Sequence, residues 1–260
     1  MTILDKIIEN KRKELKVMTV VSSIGDMEKS WLFKRETVSL SEFLIDRNRT
    51  GIIAEFKRKS PSKGLINSSS TVLDVVNGYF NEGASGVSVL TDYKFFGGSP
   101  SDLMNARKKS NVPILRKDFI LDECQVIESK AIGADAILLI AAVLKKQEVL
   151  GLSRLAHSLG LEILLEVHEQ DELDKVNQYT NIIGINNRSL RTFEVNTDIS
   201  EKIADRIPAG FLRISESGLS SPQIIKKLKT AGYNGFLIGE KFMSTSDPVQ
   251  AFAEFVKELK

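Results

Sequence analysis

The sequence predicts an α/β fold, a (β/α)8 TIM barrel with an N-terminal helical extension. The chain has 260 residues, close to the roughly 250 that are typical of such barrels. After residue 50, short apolar segments alternate with longer segments of helical spacing, and the short segments number eight. Eight units favour a closed barrel, because an open doubly wound sheet usually has fewer strands and carries a glycine-rich nucleotide turn.

The short segments are rich in β-branched and aliphatic residues, and Gly or Pro often precedes them. Near-continuous apolar runs of this length are typical of parallel strands that are covered on both faces. The predicted strands are residues 52–57, 86–90, 113–117, 135–140, 161–167, 182–186, 211–215 and 235–239.

The longer segments carry helix start and stop signals. Ser221 and Pro222 open one segment, and Gly133, Gly160 and Gly232 follow three others, as expected for helix caps. The predicted helices are residues 72–82, 121–133, 146–159, 170–179, 220–232 and 248–259.

The first 50 residues do not follow this alternation. Residues 4–15 and 40–44 have helical spacing, and Ser39 with Glu42 forms a plausible capping box. This segment has too few apolar residues for a core of its own. We therefore expect residues 1–50 to be a helical extension packed on a barrel of residues 51–260, with one domain overall.

Composition limits the functions to be considered. The 36 Lys and Arg residues nearly balance 34 Asp and Glu residues, and no basic block is present, so neither nucleic acid nor a membrane surface is an expected partner. A single cysteine, Cys124, excludes an internal disulfide and fits a reducing cytoplasm. The longest apolar run, residues 136–144, is far shorter than the roughly 18 residues of a membrane span. No metal-ligand triad accompanies His157 or His168, so no metal is expected.

Charged residues stand at the ends of several predicted strands, where barrel enzymes place their active sites. Strand residues alternate sides, so Glu55 and Lys57 share one face with Ile53. The same alternation points further polar side chains into the barrel mouth. The predicted cluster is Glu55, Lys57, Lys117, Glu166, Asn186 and Glu216. Lys and Glu side chains that converge on a partly desolvated mouth favour proton-transfer chemistry.

Glycines follow the seventh and eighth predicted strands. Gly218 and Gly239 let backbone N–H groups approach an anion at the position where many barrels bind phosphate. The glycines at 97 and 98 are more typical of a turn. Neither a Walker motif nor Gly-x-Gly-x-x-Gly is present.

Seven short motifs occur in an order that resembles the indole-3-glycerol-phosphate synthase family over nearly the whole chain. They are residues 53–64 (IAEFKRKSPSKG), 90–92 (LTD) with 96–99 (FGGS), 115–119 (LRKDF), 165–168 (LEVH), 184–190 (GINNRSL), 215–218 (SESG) and 237–240 (LIGE). Two departures are Phe56, where the family is more often aliphatic, and Ser189, where it often has an acidic residue.

The resemblance implies ring closure, decarboxylation and dehydration of 1-(2-carboxyphenylamino)-1-deoxyribulose 5-phosphate, a phosphosugar substrate, without a cofactor. It implies that Lys117 is the general acid and that Glu166, assisted by Lys57, transfers protons in the dehydration. Glu55 and Asn186 would position these groups. The substrate-binding residues that it implies are Ser60, Phe119, Arg188, Leu190, Glu216, Ser217, Gly218, Leu237, Ile238, Gly239 and Glu240.

Three other functions are open at this point. The chain could be another phosphosugar barrel such as phosphoribosylanthranilate isomerase, although Cys124 is not at a strand end. It could be a Schiff-base aldolase that uses Lys117 or Lys57, or a barrel that only binds a partner. We expect a monomer, with a dimer as the alternative.

Overall fold

Eight parallel strands form a closed barrel in the computed structural model, which describes residues 2–21, 23–108, 110–189, 192 and 194–259. The strands are β1 Ile52–Phe56, β2 Gly86–Leu90, β3 Ile114–Lys117, β4 Ala136–Ile140, β5 Glu162–Val167, β6 Ile182–Asn186, β7 Leu212–Glu216 and β8 Gly235–Ile238. Strand β1 closes the barrel because it pairs with both β2 and β8. The predicted fold class is confirmed, and each predicted strand overlaps an observed one.

Helices on the outside cover the barrel. They are Val72–Asn81, Tyr93–Phe96, Pro100–Lys108, Glu123–Ala131, Lys146–Ser158, Asp198–Ala204, Pro222–Thr230, Glu240–Met243 and Pro248–Leu259. The predicted helix at residues 170–179 is wrong in type and length, because the structure has a 3₁₀ helix at Gln170–Lys175. The apolar residues Leu173, Val176 and Tyr179 are three apart and pack on the core, but Val176 and Tyr179 lie beyond the end of the 3₁₀ helix, so this spacing does not reflect an α-helix.

Strand residues divide between two apolar clusters, as their alternation requires. One cluster fills the barrel interior with Ile53, Leu115, Leu164 and Ile214. The other cluster lies between strands and helices, and Phe56 belongs to it. Phe56 therefore faces away from the barrel interior, as its place in the strand predicts.

The N-terminal helices contact opposite ends of the barrel. Helix Leu40–Ile45 closes the amino-terminal end, where a Cβ on Gly86 would lie 2.5 Å from Leu40 and a Cβ on Gly235 would lie 2.6 Å from Leu44. Ser39 caps this helix by accepting a hydrogen bond from Glu42 N at 3.1 Å. Helix α1, Ile3–Val21, reaches the mouth of the barrel, as described below. The division at residue 50 within one domain stays a prediction.

None of the helices in the described part of the chain combines the length and the apolar character needed to cross a membrane.

Candidate active site

A cavity of about 690 Å³ opens at the carboxyl ends of the barrel strands. All but one of the predicted site residues line it. They are Glu55, Lys57, Ser60, Lys117, Phe119, Glu166, Asn186, Arg188, Glu216, Ser217, Gly218, Leu237, Ile238, Gly239 and Glu240. The exception, Leu190, lies outside the described residues. The cavity is of the size that binds small organic ligands.

Lys117 lies at the centre of this site, at the last position of β3. Its Nζ is 2.9 Å from Glu166 Oε2 and 2.6 Å from Glu216 Oε2. Lys117, Glu166, Glu216 and Glu55 come from β3, β5, β7 and β1. Alternate strands contribute the side chains of one layer inside a barrel. This layering explains why residues distant in sequence meet here.

The ammonium group of Lys117 is held in its charged form. Burial alone would lower the pKa of Lys117, but Glu166, Glu216 and Glu55 outweigh burial and raise that pKa above its ordinary value. A buried cation is tolerated only when paired in this way. Lys117 is therefore a hydrogen-bond and proton donor in this structure and not a free amine.

The two carboxylates that share Lys117 differ in proton affinity. Burial raises the pKa of Glu216 to about 7, because the opposing effect of Lys117 is too small to offset it and Glu166 adds repulsion. The pKa of Glu166 is lowered to about 2. Burial alone would raise it, but the effects of Lys117, His168 and Asn186 outweigh burial. Environments that push two carboxyl pKa values apart are a feature of acid–base sites.

Glu55 and Lys57 form a second ion pair at the end of β1. Lys57 Nζ lies 2.6 Å from Glu55 Oε1. A Cβ on Gly239 would come within 2.5 Å of the same oxygen, so glycine at the end of β8 leaves room for the Glu55 carboxylate. Ser60 follows in a short hairpin, Lys59–Ser60 paired with Gly64–Leu65, beside the cavity.

The cavity lining also contains the glycines predicted to bind phosphate, Gly218 and Gly239. Ser217 and Gly218 both have positive φ, 68° and 75°, and side chains other than glycine adopt this region rarely. Two cations also belong to this lining: Lys63 Nζ lies 3.6 Å and Arg188 Nη2 3.7 Å from the carboxylate of Glu240. Lys63 was not among the predicted site residues, although it belongs to the 53–64 motif.

Gly184 is a second residue that sequence reasoning missed. A Cβ at this position of β6 would lie 2.4 Å from Glu216 Oε1. Glycine is therefore required for the Glu216 carboxylate to lie against the neighbouring strand. A glycine inside a strand often marks such a close approach, and this was the available signal.

A buried network behind Lys117 ties helix α1 to the site. Lys11 Nζ lies 2.9 Å from Asp118 Oδ1 and 3.1 Å from Asp92 Oδ2. The other oxygen of Asp118 accepts from Thr91 at 2.5 Å and from Arg116 at 3.1 Å. Burial would raise the pKa of Asp118, but Arg116 and Lys11 outweigh it and lower that pKa to about 2. The network fixes the backbone on both sides of Lys117.

A closed barrel with a charged cavity at its strand ends defines the chain as a (β/α)8-barrel enzyme. The sequence profile described as Indole-3-glycerol phosphate synthase matches residues 4–255. The chain belongs to this family. The family predicted from the motifs is thus confirmed, and its members are carboxy-lyases.

Curated relatives with the same description cover nearly the full chain. The protein from Bacteroides thetaiotaomicron is 45% identical over 258 residues, 99% of each chain. The protein from Polaromonas naphthalenivorans is 41% identical, covering 98% of this chain and 99% of its own. Among solved structures, a tryptophan synthase alpha subunit from Pyrococcus furiosus superposes with a TM-score of 0.60 over 80% of this chain and 97% of its own. At 15% identity this similarity concerns the fold alone.

Proposed function

We propose that this chain converts 1-(2-carboxyphenylamino)-1-deoxyribulose 5-phosphate to indole-3-glycerol phosphate. One observation carries the proposal: the Lys117 ammonium lies between Glu166 and Glu216 at the base of a cavity that can hold an arene and a phosphorylated sugar. The first step needs a positioned cation beside a carboxylate, because an aryl carbon is a weak nucleophile toward an unactivated carbonyl.

The lining of the cavity matches the two ends of this substrate. Phe96 and Phe119 lie with ring centroids 6.0 Å apart and both line the cavity, so they offer an apolar surface to the arene. The phosphate would bind at Gly218 and Gly239, where backbone N–H groups and the nearby cation Lys63 complement an anion.

In the ring closure, Lys117 donates its proton to the ribulose carbonyl oxygen. The ring carbon that bears the carboxylate attacks the carbonyl carbon, and one carbon–carbon bond forms. Carbon dioxide then leaves, and its bonding electron pair restores the aromatic ring. In the last step the new hydroxyl group takes a proton from the Lys57 ammonium and leaves as water, while Glu166 accepts a proton from the adjacent carbon.

Glu166 becomes a stronger base during this sequence. While Lys117 lies 2.9 Å away, the carboxylate of Glu166 holds protons weakly. When Lys117 turns to the substrate oxygen, that opposing charge moves and the pKa of Glu166 rises. Lys57, oriented by Glu55 at 2.6 Å, assists the departure of the hydroxyl group. Asn186, which also lines the cavity, would position Glu166.

The charge state of Lys117 argues against a Schiff-base mechanism, because a protonated amine is not a nucleophile. Burial raises the pKa of Cys124 to about 12, so this thiol is a poor candidate for an acid in an isomerase. The lone cysteine favours a reducing compartment such as the cytoplasm.

The test is to mix purified protein with the carboxyphenylamino ribulose phosphate and follow indole fluorescence. Lys117→Ala should abolish turnover while substrate affinity changes little. Lys146→Ala, at a lysine that is largely exposed and paired with Asp174 at 3.5 Å, is the control and should retain full activity. Absence of fluorescence with the wild-type chain would refute the function. Near-normal turnover of Lys117→Ala would remove Lys117 from the acid role, and a borohydride-trapped adduct would favour the aldolase.

A further inference from the structure

His168 lies directly behind Glu166, at the first residue after β5. Its Nε2 is 3.4 Å from Glu166 Oε1, and its Nδ1 is 3.9 Å from Glu172 Oε2. The imidazole side chain is only 10% exposed, and neither ring nitrogen has a hydrogen-bond partner among the described residues. His168 is not part of the cavity lining. It is therefore a buried titratable group that the proposed chemistry does not yet use.

An unpartnered buried imidazole is costly and calls for an explanation. The two carboxylates beside the imidazole, those of Glu172 and Glu166, are both held in place by other contacts. Glu172 Oε2 accepts from the backbone N of His168 at 2.7 Å and from that of Glu169 at 3.4 Å, at the start of the 3₁₀ helix. Glu166 is held in the active site. His168 is thus placed between two acceptors, within a small movement of hydrogen-bonding distance.

The two oxygens of Glu166 face different groups. Oε2 accepts from Lys117 at 2.9 Å, whereas Oε1 faces His168 at 3.4 Å. Asn186 is a further group that lowers the pKa of this carboxylate, and Glu216 faces it across the shared ammonium. In the proposed reaction Lys117 leaves Oε2 for the substrate. The Glu166 carboxylate must then keep the orientation that it needs to accept a proton from the substrate, although Lys117, its closest partner, has moved away.

We propose that His168 is a positioning residue, whose Nε2–H donates to Glu166 Oε1 after Lys117 has moved to the substrate and so fixes the carboxylate for the dehydration. The inference rests on the proposed function, because it assigns a partner to Glu166 in that reaction. Orientation of a base by a neighbouring donor affects turnover more than binding, since small misplacements of reacting groups are costly in rate. His168 acts through Glu166 and does not touch the substrate.

Steady-state kinetics of three variants test this role. His168→Leu should lower kcat by about 10- to 100-fold, a cost expected for a misplaced base, and leave KM within about twofold because His168 does not line the cavity. His168→Gln should recover kcat to within about threefold of wild type, because its amide can donate at a similar reach. His157→Leu is the matched control: His157 is exposed and stacks on Tyr179 with ring centroids 5.3 Å apart, and kcat should not change.

Equal kcat values for His168→Leu and wild type would overturn the proposal, and so would a glutamine variant as slow as the leucine variant. A change confined to KM would also overturn it. A second measurement, made on the wild-type chain, does not depend on folding of the His168 variants. The chain has two histidines, so the ¹⁵N spectrum of the imidazoles is readily assigned with His157→Leu.

A proton on Nε2 of His168 supports the proposal, whereas a proton on Nδ1 alone overturns it, because His168 would then present no donor to Glu166 Oε1. Lack of turnover by the wild-type chain would refute the proposed function, and the nitrogen spectrum would still decide whether His168 donates to Glu166.

Discussion

Replacing Glu216 by Gln should stabilise the folded chain at alkaline pH and change its stability little near pH 5. Burial raises the pKa of Glu216 from 4.5 to about 7 in the folded state. A group whose pKa is raised on folding contributes its stability fully below pH 4.5, and this contribution is lost as the pH rises through 7. The difference between the two pKa values, at about 1.4 kcal/mol per pKa unit, corresponds to about 3 kcal/mol.

The assay is urea unfolding of wild type and Glu216→Gln at pH 5 and pH 8. Glutamine keeps an oxygen that can accept from Lys117 but carries no charge. The free energy of unfolding should rise by up to about 3 kcal/mol at pH 8 and by less than about 1 kcal/mol at pH 5. A loss of stability at pH 8, or an equal change at both pH values, would refute the reasoning.

Glu166→Gln is the matched comparison, because the sign of its effect is opposite. The folded-state pKa of Glu166 is lowered to about 2, so this carboxylate contributes stability above pH 4.5 that is lost as the pH falls through 2. The variant should therefore be less stable than wild type at both pH 5 and pH 8. The same substitution would thus raise the free energy of unfolding at Glu216 and lower it at Glu166, although both carboxylates pair with Lys117.

Three further variants test other contacts. Gly184→Ala should lower kcat about tenfold or more, because the new Cβ would lie 2.4 Å from Glu216 Oε1. The control is Gly151→Ala, where nothing lies within 4 Å of the new Cβ and kcat should not change. Equal kcat values for the two variants would contradict this prediction. Lys11→Met should lower the free energy of unfolding in urea by about 3–5 kcal/mol, since it leaves two buried carboxylates short of a partner; a loss below about 1 kcal/mol would argue against a structural ion pair. Glu240→Gln should lower KM about two- to fivefold at unchanged kcat, because it removes a negative charge from the end of the cavity assigned to phosphate; a higher KM would place the phosphate elsewhere.

The barrel was predictable because its strands are buried on both faces and therefore read as continuous apolar runs. The segment at 170–179 was wrongly predicted to be an α-helix, because apolar residues three to four positions apart do not distinguish a 3₁₀ turn from an α-helix over ten residues. The segment Leu40–Ile45, which closes the amino-terminal end of the barrel, was predicted as a helix. The contact of this helix with the barrel was not predicted, because the two glycines that leave room for its side chains, Gly86 and Gly235, lie far from it in sequence.

Strand alternation and strand ends were enough to bring Lys117 and Glu166 into one cavity. These two features could not show which side chains form ion pairs with each other. Glu216 was predicted to belong to the charged cluster and to shape the substrate pocket, but its direct pairing with Lys117, at 2.6 Å, was not predicted. The role of Gly184 depends on the register of β6 against β7, and that of Lys11 depends on where helix α1 crosses the mouth. Such contacts join distant segments, and a single sequence carries no local signal for them.

The charge balance of the site explains why its carboxylates cannot behave alike. Around the barrel axis Glu55, Glu166 and Glu216 face only two ammonium groups, those of Lys57 and Lys117. One negative charge is therefore in excess in a buried layer, and burial raises the pKa of the carboxylate with the least compensation, Glu216. When Lys117 turns to a substrate carbonyl, both of its carboxylates lose a partner, and Glu166 gains proton affinity when the dehydration needs a base. The shared lysine thus couples activation of the carbonyl to activation of the base.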